Sequence, residues 1–238
     1  MNMLEVTNLR KDFDGLTAVH DLSFNVETGQ IVGLIGPNGA GKTTTFAMLA
    51  GFLTPTSGEI RFHDKRINGL KPHQVCKLGM ARTFQIVQPF PDMTVLENTM
   101  IGAYVRHPNT ADARRKAMEV LERVNLVHKA DTLGRNLTLL ELKRLEIGKA
   151  LATEPGLLLL DEVAAGLKDA EVDNILVLVR QLNEEGITFL IVEHLMKVIM
   201  NLSHSVIVLD FGQMIAQGTP QEISRNPAVL AAYLGKEE

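Results

Sequence analysis

The sequence predicts an α/β fold built around a largely parallel sheet, and three observations predict it. An apolar run from Gln30 to Ile35 feeds a glycine-rich loop that opens a helix at Lys42. Further along, the strand-like runs Leu157 to Leu160 and Ile187 to Val192 flank an amphipathic stretch from Asp169 to about Glu185, which makes a βαβ unit. Between these two regions the pattern turns helical, with Ala117, Val120, Leu121 and Val124 on one face and Arg114, Arg115, Glu119 and Glu122 on the other.

Taken in order, Leu4 to Asn8 and Leu22 to Val26 read as short strands of an N-terminal antiparallel β region. The helix from Lys42 to Ala50 closes at Gly51, a suitable left-handed stop. Residues 86–154 are expected to form a helical subdomain inserted into a core of residues 1–85 and 155–238, all within one domain. In the helix from Asp169, the apolar face carries Val172, Ile175, Leu176, Val179 and Leu182. Near the end, Thr219-Pro220-Gln221-Glu222 reads as a capping box with proline at the first helical position, and Asn226-Pro227 opens another short helix.

At 238 residues and 45% apolar content, the chain can bury a sizeable core as one folded unit. Its 24 basic residues against 28 acidic ones leave a net charge of -4, so there is no global basic field for nucleic acid, and no nucleic-acid partner is expected. The single cysteine, Cys76, excludes an intramolecular disulfide and any cysteine-cluster metal site. Apolar runs fall far short of the roughly 20 residues that span a bilayer. The first residues also lack the basic and apolar segments of a secretory signal, so the expected location is the cytoplasm. Work at a membrane would require docking on an embedded partner.

Gly36-Pro37-Asn38-Gly39-Ala40-Gly41-Lys42-Thr43 matches the phosphate-binding loop pattern, with Gly36, Gly41, Lys42 and Thr43 in the defining places and Thr44 continuing into the helix. Glycines let successive backbone N–H groups curl around phosphate oxygens, and the helix aims its positive end at the same anion. Lys42 would neutralise the β and γ phosphates of ATP, and Thr43 would place its hydroxyl on Mg²⁺. The core is thus predicted to be a P-loop NTPase. Leu157 to Leu160 then lead into two adjacent carboxylates. A solvated strand end is one explanation. Given the upstream loop, Asp161 is read as holding Mg²⁺ through its water shell, and Glu162 as the group that orients or deprotonates the attacking water.

With these motifs in this order, the sequence resembles the ABC ATPase family nearly end to end, which implies that the P-loop NTPase core is RecA-like. The resemblance implies that Gln85, in Arg82-Thr83-Phe84-Gln85, touches Mg²⁺ or the attacking water and moves with the membrane partner. It also implies that His194, in Ile191-Val192-Glu193-His194, lies near the γ-phosphate, and that Phe13 stacks on adenine. Ala165 to Lys168 occupies the place of the loop that crosses the dimer interface.

The family signature reads Leu-Ser-Gly-Gly-Gln, whereas the matching stretch here is Leu137-Thr138-Leu139-Leu140-Glu141. Thr138 keeps a hydroxyl for nucleotide, but Leu140 replaces a glycine whose bare backbone would approach a γ-phosphate on the opposite subunit. Either the Leu140 N–H still points at phosphate, or the site built on this chain's Lys42 and Glu162 uses the intact signature of a different partner; the second is preferred. Finer resemblance points to the branched-chain amino acid uptake ATPases. It rests on Ala81 to Gln85, Met93 to Asn98, Lys143 to Glu146 and Ala232 to Gly235. The implied partners are a second ABC ATPase subunit, identical or not, two transmembrane permease subunits and, indirectly, an external solute-binding protein, with the chain peripheral on the inner face of the membrane. A soluble non-transport ABC ATPase and a weakly hydrolysing regulatory subunit are the alternatives.

Overall fold

The computed structural model describes residues 2–83 and 89–234. The chain opens with a long antiparallel hairpin, β1 (Asn2–Phe13) and β2 (Leu16–Glu27), in place of the two short strands expected there. Thr7, Asn8, Arg10 and Lys11 break the apolar pattern, because the register shifts next to left-handed Asn8. Next come β3 (Ile31–Ile35) and α1 (Lys42–Leu49), which ends through Ala50 at Gly51 as the sequence predicts. The sequence did not foretell the four elements after it: β4 (Ser57–Phe62), β5 (Lys65–Arg66), α2 (Pro72–Leu78) and β6 (Met80–Arg82). β4 and β5 turn on His63 and Asp64, both left-handed, as a two-residue type I′ loop requires.

The helical stretch contains α3 (Val95–Ala103), α4 (Thr110–Arg123) and α5 (Leu139–Leu151), each started by a side-chain cap from Thr94, Asn109 and Thr138. The expected βαβ unit is β7 (Leu157–Asp161), α6 (Asp169–Glu184) and β8 (Thr188–Val192), and α6 buries all five residues of its forecast apolar face. α7 (Met196–Leu202), β9 (Ser205–Asp210), β10 (Gln213–Gly218), α8 (Pro220–Ile223) and α9 (Pro227–Leu234) complete the chain, and Thr219 with Glu222 does cap α8.

Among the described residues these strands form two sheets, an antiparallel one in the order β2-β1-β4-β5 and a second in the order β10-β9-β3-β8-β7-β6. The second is parallel except for β10. Its central strands β3, β7 and β8 are buried at every position because both faces are covered. Strand alternation divides the two sides. Leu158 and Leu160 face a cluster with α4, α5 and α6, while Leu157 and Leu159 face one formed by α1 and the antiparallel sheet. The hydrogen bond from the His20 N–H to the Gly212 carbonyl, 2.8 Å, ties β2 to the turn after β9. Parallel pairing of β3 with β8 and of β8 with β7 sets the C-terminal ends of these three strands side by side at one edge.

Candidate functional site

At that edge, the loop after β3 is shaped by close backbone approach. Gly36 has φ 151°, and a Cβ there would lie 2.1 Å from the Leu209 carbonyl oxygen. Gly41, at φ 96°, forms the N-cap of α1, and a Cβ there would meet the Ala18 carbonyl at 2.5 Å. Only glycine fits either place. Lys42 is buried, and its Nζ donates to the carbonyls of Gly36 at 2.7 Å and Pro37 at 2.9 Å, so it curls back over the loop it follows. Burial pushes its pKa down, while the nearby carboxylates of Glu162 and Asp161 pull it up. Pro37, Asn38, Gly39 and Ala40 lie in the loop between β3 and α1, and Thr44 lies in the first turn of α1.

Asp161 ends β7 with 3% exposure, which overturns the solvated-strand-end explanation. Its Oδ2 accepts from Arg82 Nη2 at 2.7 Å, a pairing across 79 residues of sequence. Arg82 itself lies within 5.9 Å of the Phe46 and Phe52 ring centres. Thr43 and Asp161 border the same cavity, of about 740 Å³, together with Arg82 and Phe52. A hydroxyl and a carboxylate on one cavity are hard oxygen donors of the kind Mg²⁺ takes. Among the described residues no group of three or more His, Cys, Asp or Glu could hold a metal ion.

Glu162 follows in the left-handed region at φ 48°, uncommon for a residue with a long side chain. Its N–H donates to the Val192 carbonyl at 2.9 Å. Its Oε1 lies 2.7 Å from His194 Nε2, so the structure unites two residues that the sequence holds 32 positions apart. Between β8 and His194, the buried Glu193 accepts from the Ala164 N–H at 2.8 Å; burial raises its pKa, opposed by backbone donors at Ala164 and His194. Arg82 and Glu193 escaped sequence reasoning. Arg82 stood only as the first letter of the Gln85 segment and Glu193 only as a neighbour of His194, because nothing local reveals a partner so distant in the chain.

Phe13 ends β1, half exposed, with Lys11 Nζ 4.9 Å from its ring centre. Thr138 is the N-cap of α5: its hydroxyl accepts from the Glu141 N–H at 3.4 Å and donates to the Glu141 carboxylate at 3.0 Å. Leu140 packs its side chain against the helical apolar cluster, while Leu139 is exposed and approaches Gly166. Gln85 lies outside the described residues.

A family profile described as ABC transporter matches residues 19–165, and one for the branched-chain amino acid ATP-binding cassette transporter matches residues 213–238. The high-affinity branched-chain amino acid transport ATP-binding protein BraF of Pseudomonas aeruginosa is 41% identical, with 98% of each chain covered. The lipopolysaccharide export system ATP-binding protein LptB of Haemophilus influenzae is 35% identical over 100% of this chain and 99% of that protein. Among solved structures, the ADP conformation of an ATP-binding cassette of an ABC transporter superposes with a TM-score of 0.91 at 32% identity, covering 99% of this chain and 100% of that one. A dimeric bacterial ABC transporter cassette matches with a TM-score of 0.82 at 25% identity, covering 92% of this chain and 99% of that one. The chain therefore belongs to the ABC transporter family as one of its ATP-hydrolysing cassettes, and it resembles those of branched-chain amino acid transport.

Proposed function

We propose that this chain powers an ABC importer for branched-chain or related amino acids, and that two cassettes close face to face on ATP to drive the membrane permease. The observation that carries the chemistry is the Glu162–His194 pair at 2.7 Å beside the phosphate loop. Backbone N–H groups from Gly36 to Gly41 and the Lys42 ammonium bind the phosphates, with Thr44 at the start of α1. Thr43 and Asp161 would hold Mg²⁺, which offsets charge on the phosphates when bound. Phe13 offers its exposed ring to adenine.

Glu162 takes a proton from a water as the water oxygen bonds to the γ-phosphorus; the bond from that phosphorus to the β-γ bridging oxygen breaks, and its electrons leave with ADP. His194 orients the Glu162 carboxylate, and Gln85 is assigned a place at the attacking water. Thr138 and the first amides of α5 present the signature to nucleotide on the opposite cassette. Leu140 turns its side chain into its own core, which favours an N–H that still points outward, the first of the two readings of the signature, over the different partner preferred from the sequence. In this reading residues 86–154 move as the helical subdomain against the core of 1–85 and 155–238, and permease subunits dock against the stretch of sequence from Gln85 to Leu96. Among the described residues no helix is long and apolar enough to cross a membrane, which suits a peripheral subunit held by permeases on the inner face.

Import of amino acids is favoured by the match to BraF and by the profile over residues 213–238. Export is the second reading, favoured by the end-to-end similarity to LptB. Leucine flux in proteoliposomes containing the chain, its permease subunits and the external binding protein separates them. Import predicts ATP-dependent leucine movement from the binding-protein side, abolished by Glu162→Gln. Leucine leaving toward that side, or ATP turnover with no leucine moved, would overturn it.

A further inference from the structure

Lys143 lies on α5, the helix that begins with the signature, yet it is only 4% exposed. Its Nζ donates to the backbone carbonyl of Glu162 at 3.0 Å. The same carbonyl accepts from the Ala165 N–H at 3.2 Å, so both of its lone pairs are engaged. Glu162 needs such restraint. A non-glycine residue at φ 48° carries strain on the order of 1–3 kcal/mol and persists only where its surroundings hold it. Three bonds do so here: the Glu162 N–H to Val192, and the two donors to its carbonyl. Burial lowers the pKa of Lys143, while Glu193, then Glu146, Glu162 and Asp161, pull it back up. The ammonium is thus set among the carboxylates of the hydrolytic edge.

We propose that Lys143 is a positioning residue for ATP hydrolysis. Its bond fixes the left-handed backbone of Glu162, and through it the aim of the carboxylate that pairs with His194. The same bond joins α5, whose start faces the opposite cassette, to the hydrolytic glutamate of its own chain, so a shift of α5 on closure is felt at Glu162. This inference rests on the reading of Glu162 given above.

Steady-state ATP turnover of the full-length chain tests it, with Glu162→Gln as the control. Lys143→Met, which keeps length and removes the donor, should lower kcat at least tenfold with KM and the affinity for a fluorescent ATP analogue within twofold. Lys143→Arg, which keeps a charged donor, should recover most of the rate. Because Lys143→Met strands the buried Glu193, the paired variant Lys143→Met with Glu193→Gln removes both charges, and it should fold and turn over as slowly as the single one. The proposal is overturned if either methionine variant turns over within twofold of the parent. It also fails if KM rises with kcat unchanged, or if arginine restores nothing. Should Glu162→Gln itself hydrolyse ATP like the parent, the reading of Glu162 fails first, and the two failures are told apart.

Discussion

Replacing Arg82 by methionine leaves Asp161 a buried carboxylate without its ion-pair partner. The pair is 11% and 3% exposed at its two side chains and bonded at 2.7 Å, so solvent screens it little. Removing one member of such a pair costs about 3–5 kcal/mol, mostly the penalty of a stranded charge. Methionine keeps much of the apolar stem between Phe46 and Phe52, so lost packing adds little. For a chain of this size that corresponds to a fall in Tm on the order of 10 °C. Urea unfolding followed by circular dichroism reads the loss as a lower midpoint at unchanged slope. Arg82→Met combined with Asp161→Asn removes the stranded charge and should recover more than half of the loss. A loss below about 1 kcal/mol, or a double variant no more stable than the single one, would refute the reasoning.

Three further outcomes follow from the same geometry. Glu162→Gln protein with Mg-ATP should scatter light as a species of twice the 26.2 kDa chain mass, and the dimer should vanish without nucleotide; a mass that ignores nucleotide would count against face-to-face closure of this chain on itself. Gly36→Ala forces a Cβ to 2.1 Å from the Leu209 carbonyl, so β9 must shift and ATP-analogue binding should fall at least tenfold; unchanged binding by fluorescence titration would contradict the loop geometry. His107 hydrogen-bonds Glu154 at 2.9 Å and, with Lys116, holds its pKa below the usual carboxylate range. A depressed carboxylate stabilises the fold above its unfolded pKa and loses that contribution as pH falls through its folded value. The acid side of the stability curve should therefore flatten in His107→Gln, and urea midpoints measured between about pH 5 and 3 check it.

What the sequence revealed depended on whether the cause was local. Continuous apolar runs mark β3, β7 and β8 because both faces of those strands are buried, and the same burial fixes the parallel order that brings their ends together. The hydrophobic face of α6 and the caps at Thr219 and Gly51 were equally legible, since each depends on residues within one turn. By contrast β1 and β2 were read as half their length, since the register shifts along the hairpin break the alternation. β4 to β6 and α2 are short and lean on tertiary partners. Within the site, the phosphate loop and the Asp161-Glu162 pair announced themselves by motif. The groups around them did not, because Arg82 reaches Asp161, Lys143 the Glu162 carbonyl and Glu193 the Ala164 amide only through strand and helix packing.

In the proposed mechanism Glu162, held beside His194, carries the hydrolytic step while the phosphate loop carries binding. Parallel measurement of ATP turnover and Mg-ATP affinity in Glu162→Gln tests it most directly. Loss of the proton acceptor should reduce turnover by about 10² to 10⁴-fold with affinity within twofold of the parent. Turnover within tenfold of the parent, or affinity lost in step with turnover, would contradict it.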